Sequence, residues 1–146
     1  MFSTETLASA LRMGVPVLLA GLGAVYSERG GVVNIGLEGM MIAGTFAGAV
    51  GAYYVGPEAG VLMGLAAGLA LAAVHAAATV WFRADQIVSG VALNLLAYGA
   101  ARFLCLLIFG KATTSPHVKA LPTLSVPVLS GVGVLKPVVT GLSPLT

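Results

Sequence analysis

The 146-residue chain is 58% apolar and 8% charged, with a formal net charge of +2, whereas a typical soluble domain carries about a quarter charged residues. A soluble core of this length cannot hide so much apolar surface, so the composition excludes an ordinary cytosolic domain and points to an integral membrane protein. No basic cluster suggests nucleic-acid binding, and the 20 glycines are scattered through apolar runs without a collagen-like period.

The fold class expected is all-α, a polytopic transmembrane helix bundle with four spans and a long Pro-rich loop. The first span covers residues 7–26, "LASALRMGVPVLLAGLGAVY", the length needed to cross hydrocarbon. Arg12 and Pro16 interrupt its first half. Arg12 can snorkel to an interface, and Pro16 can kink the helix and bare its carbonyls. The opening "MFSTETLASALRM" lacks the basic start of a cleaved signal peptide.

The second span covers residues 32–55 and follows the polar turn "SERGG". "VGPEAG" then breaks the chain at Gly56 and Pro57. The third span covers residues 59–82. Gly60, Gly64 and Gly68 recur every four residues, continued by Ala72 and Ala76, and Gly44, Gly48 and Ala52 form a second such stripe. Stripes of small residues let helix backbones approach closely, so both are packing surfaces. Trp81 and Phe82 mark an interface belt.

"RADQ" leads into the fourth span, residues 87–109, and Asp85 is placed to cap it. Residues 1–110 thus form the helical part. Beyond Gly110 come Pro116, Pro122, Pro127, Pro137 and Pro144, so residues 111–146 cannot be one regular helix. Cys105, the only cysteine, lies in an apolar run and is expected to be a buried thiol. The two short loops carry one arginine each, and the long segment carries Lys111, Lys119 and Lys136. That balance does not set the orientation.

Few polar residues interrupt the spans. Asn34 and Glu38 lie four apart and are read as sharing a helix face near a helix start, where unpaired N–H groups favour a carboxylate. Glu38 either steadies that start, or pairs with an arginine such as Arg12 or Arg102, or borders a polar path between helices. Asn94 and Arg102 lie on one side of the fourth span and serve as interhelical glue or line a cavity. His75 reads as a satisfied bundle histidine, with a proton relay as the alternative. His117 has no metal-ligand spacing around it. No nucleophile elbow, HExxH or phosphate-binding Gly-Lys-Ser/Thr loop is present. No catalytic residue, metal site or cofactor is therefore assigned, and an enzyme is not expected.

"ERGGVVNIGLEGMMIAG", Glu28 to Gly44, resembles the signature of bacterial ABC transporter permeases of the simple-sugar and nucleoside type, within the branched-chain amino acid permease superfamily. "FRADQIVSGVALNLLAYG", Phe82 to Gly99, is similar to the second block of the nucleoside branch, and "LSVPVLSGVGVLKPVVTGLSPLT" to the loop after it. Where the sugar-type cousins carry Asp-Leu-Ser, this chain has Asn34, Ile35 and Gly36, which makes it more nucleoside-like. The resemblance implies that Asn34 and Glu38 start a core helix beside the translocation path. It also implies that "SERGG" and "RADQ" face the cytoplasm and that residues 111–146 lie outside. Family members are longer, with a second half that docks on the ATPase, so this chain is expected to be an amino-terminal fragment.

The function expected is the permease subunit of an ABC importer for nucleosides or related simple sugars, multi-pass in the bacterial plasma membrane. Its solute path is assigned to Asn34, Glu38 and Asn94, and its helix packing to Gly60, Gly64 and Gly68. Expected partners are ABC ATPase subunits that supply the power, a second permease subunit, an extracytoplasmic solute-binding protein, a small polar solute and the lipid bilayer, with no nucleic acid. An ion-coupled secondary transporter or channel, with Glu38 carrying the ion or proton, is one alternative. A non-transporting membrane scaffold is another.

Overall fold

The computed structural model describes residues 4–118. The expected Pro-rich loop lies outside the described residues from Lys119 onward, as does the side chain of Arg12. Four α-helices occur among the described residues, and no strand. They are α1 (Thr4–Arg29), α2 (Leu37–Tyr54), α3 (Pro57–Ala76) and α4 (Gln86–Phe109), with a π-helical turn, Ala77–Trp81, continuing α3. The chain divides into two units. One carries α1 up to Gly23, where the helix runs on through Pro16. The other runs from Ala24 to Lys119 and holds everything below.

The α2–α3 connection is short because Gly56 and Pro57 divide the work. Gly56 adopts φ +143°, a conformation L side chains rarely take, and Pro57 opens α3 at a position that needs no N–H partner. The two helices then run antiparallel with their small-residue stripes face to face. A Cβ built on Gly60 would sit 2.7 Å from the Gly48 carbonyl oxygen, and one on Gly64 would sit 2.9 Å from that of Gly44. Only glycine permits such an approach. Gly68 differs: a Cβ there would meet the Met40 carbonyl oxygen at 3.7 Å, an ordinary contact.

The third helix does not end as a plain α-helix. In the π turn, Phe82 N–H donates to the Ala77 carbonyl and Ala84 N–H to that of Ala78. Arg83 follows with φ +53°, the left-handed region. Asp85 then caps α4, its Oδ1 accepting from Ile87 N–H and Val88 N–H at 2.9 Å each. At the far end Gly110 takes φ +70° and closes the helix onto the Leu106 carbonyl.

Helices α2 and α4 run parallel. Gly39 meets Asn94 near their starts, and the Tyr53 and Phe109 rings pack edge-to-face, 5.4 Å apart, near their ends. The apolar core among the described residues is small: Met40, Leu93, Ala97 and Cys105. Leu62, Leu65, Leu69, Leu95 and Leu107 instead point outward, a surface suited to hydrocarbon and not to water. Among the described residues two helical stretches, Pro57–Trp81 and Gln86–Phe109, are long and apolar enough to cross a membrane.

Candidate functional site

The site is built on a backbone segment that is not helical. Gly30 and Gly31 end α1, with Gly31 at φ +83°, and Ser27 Oγ donates to the Val32 carbonyl at 2.7 Å. Residues 32–36 then lie outside any helix until α2 starts at Leu37. Exposed peptide groups are costly where water is scarce, so each needs a partner. Helix α4 supplies several from one face. Gln86 Oε1 accepts from Val33 N–H at 2.6 Å, and its Nε2 donates to the Gly31 carbonyl at 3.2 Å. Asn94 Nδ2 donates to the Ile35 carbonyl at 3.0 Å, and its Oδ1 accepts from Gly39 N–H at 2.7 Å. Between them lies Gly90, where a Cβ would come within 2.9 Å of Gly36 N. Gln86, Gly90 and Asn94 recur every four residues, so one helix face clamps the segment.

Beyond the clamp, α2 and α4 open into a groove of about 720 Å³. Its walls include Phe46 of α2, Tyr98, Cys105 and Phe109 of α4, and Thr113 and Ser115 after α4. Glu38 and Arg102 both line it. Arg102 Nη1 donates to the Tyr98 hydroxyl at 2.8 Å, and its guanidinium carbon lies 5.4 Å from the Tyr98 ring centre. Glu38 sits in the first turn of α2. A volume in this range, with mostly apolar walls and a few polar groups, suits one small organic solute.

The three residues assigned to the path are thus placed differently. Glu38 lines the groove. Asn94 spends both ends of its amide on backbone. Asn34 lies before α2, with Nδ2 3.6 Å from Met40 Sδ and a buried Oδ1 that has no partner. Asn34 and Glu38 therefore do not share a helix face, because the helix begins only at Leu37. Arg102, expected as interhelical glue or cavity lining, lines the groove, whereas Gln86 is a clamp residue that the expected path did not include. The spacing of Gln86, Gly90 and Asn94 was a usable signal for the clamp; the place of Arg102 in the groove needs the α2–α4 register.

Residues 6–135 match the family described as the permease component of the branched-chain amino acid transport system. The chain belongs to this permease family. Among curated proteins it is 44% identical over 134 residues to the guanosine ABC transporter permease protein NupQ of Bacillus subtilis, a match covering 87% of this chain and 42% of that one. It is 36% identical over 137 residues to the nucleoside ABC transporter permease protein NupC of Lactococcus lactis, covering 88% and 42%. A putative glucose ABC transporter permease protein of Haloferax volcanii is 37% identical over 133 residues, covering 88% and 38%. The chain spans about two fifths of the length of these relatives. No solved structure matches it. In this permease chain, the two sequence blocks that carry the resemblance, Glu28 to Gly44 and Phe82 to Gly99, are the two partners of the clamp.

Proposed function

We propose that this chain forms one side of the solute path in a multi-pass permease of an ABC importer for nucleosides or related simple sugars. The observation that carries the reading is the groove between α2 and α4, where a carboxylate and a guanidinium lie among aromatic walls. Glu38 offers acceptors to the hydroxyls of a ribose or sugar. Asn94 and Gln86 act one step back: they hold the 31–39 segment and so fix where Glu38 stands. Asn34 lies within the same segment. The names of the nucleoside and sugar relatives support the solute class.

In this reading the permease lies in the bacterial plasma membrane, with the loops around Ser27–Gly31 and Arg83–Gln86 toward the cytoplasm. Separate ATPase subunits hydrolyse ATP, a second permease subunit completes the path, and an extracytoplasmic solute-binding protein delivers the solute. Alternating exposure arises from movement of one helix group against another, with the clamp travelling as one body. The test is nucleoside uptake into liposomes that hold the permease assembled with its ATPase. Uptake should require ATP and should fall in Glu38→Gln. Uptake that follows an ion gradient without ATP would overturn the reading.

A further inference from the structure

We propose that Arg102, held by Tyr98, selects the base of the solute and favours a 6-oxopurine over a 6-aminopurine. This rests on the nucleoside reading above and deepens it. Arg102 stands well inside α4 and lines the groove. A guanidinium in a membrane-spanning helix is costly and needs acceptors. Its hydrogen-bond partner among the described residues is the Tyr98 hydroxyl, which takes one of five N–H donors. The remaining donors form a planar fork. Anchoring along its own helix, on a tyrosine one turn back, biases the direction in which that fork points.

A planar donor fork prefers two adjacent acceptors in one plane. Guanine and hypoxanthine present such a pair, O6 and N7, on one edge. Adenine presents N7 beside an amino donor, so one arm of the fork would meet another donor. Phe46 and Phe109 supply aromatic surface for the ring. The register of α2 against α4 places Glu38 near the level of Asn94, two helical turns before Arg102, an axial offset of about 12 Å at 1.5 Å per residue. A nucleoside lying along the groove would set its base against Arg102 and its ribose toward Glu38. Arg102 thus sets which base is taken, and Glu38 sets that a ribose is attached.

The experiment is competition against tritiated guanosine on the purified full chain in detergent, using guanosine, inosine, adenosine and guanosine 5′-monophosphate. Guanosine and inosine should compete alike, and adenosine about tenfold more weakly, as expected for one bidentate edge contact. Arg102→Lys keeps the charge but loses the fork, and should bring adenosine level with inosine. Glu38→Gln should weaken all three nucleosides together and leave their ranking intact. The ranking in the unmodified chain decides the matter without any variant. Adenosine matching inosine there would overturn base selection while leaving the nucleoside path standing. A strong preference for the monophosphate would make Arg102 a phosphate contact and equally overturn the proposal. Absence of any nucleoside binding would remove the path reading and this one with it.

Discussion

Glycines at one spacing are not interchangeable in this helix pair. At Gly60 and Gly64 an added methyl would fall on a carbonyl of α2 closer than side chains normally approach, so the helices must move apart. Gly60→Ala and Gly64→Ala should each destabilise the fold by about 1–3 kcal/mol. Gly68→Ala has room, and the gain in helix propensity of up to about 1 kcal/mol should show. Reversible unfolding in mixed micelles ranks the three. Equal losses at all three sites would mean that α2 and α3 do not meet at the observed register. The same residue-level logic applies to Asn94. Asn94→Leu strands the Gly39 N–H and the Ile35 carbonyl together and should cost about 1 kcal/mol or more. Asn94→Asp keeps an acceptor for Gly39 and should lose less. A fully neutral Asn94→Leu would contradict the clamp.

Elements depend on signals that differ in legibility. The helices of the bundle could be read because long apolar runs are cut by Gly56–Pro57 and by the Arg83–Gln86 break. The start of α2 could not. Val32, Val33 and Ile35 are as apolar as the helix they precede, so hydropathy merges them with it; what keeps the segment open is the hydrogen bonding of Gln86 and Asn94, which is tertiary. The π turn was equally hidden, since Ala77–Trp81 carries no breaker. It continues α3 just past His75, which is only 2% exposed, with Nδ1 3.0 Å from Ser89 Oγ on α4. Glu38 and Arg102 were both legible as charges in an apolar context, but that they line one groove depends on the α2–α4 register. The cap of α4 is a sequence reading that geometry makes quantitative. Asp85→Ala removes both accepted hydrogen bonds and should cost about 0.5–2 kcal/mol. Asp85→Asn should recover most of that in the same unfolding assay, and failure to recover would point to charge and not capping as the cause.

For the molecule as a whole, the parallel course of α2 and α4 puts the Ser27–Gly31 and Arg83–Gln86 loops at one end of the bundle and Gly56 with Lys111 at the other. On the proposed orientation, a cysteine at Ala84 in a Cys105→Ser background should resist impermeant thiol reagents in intact cells, and one at Thr113 should react. The reverse pattern would invert the account of where solute enters. The central claim, that the groove between α2 and α4 carries solute, has a built-in reporter. Cys105 is the chain's only cysteine, it lines the groove, and it is 8% exposed. The rate at which a small maleimide modifies Cys105 in the purified protein should fall several-fold at saturating nucleoside, while a cysteine at the outward-facing Leu95, in the Cys105→Ser background, should react at an unchanged rate. An unaltered rate at Cys105 under nucleoside concentrations that saturate binding would contradict the claim.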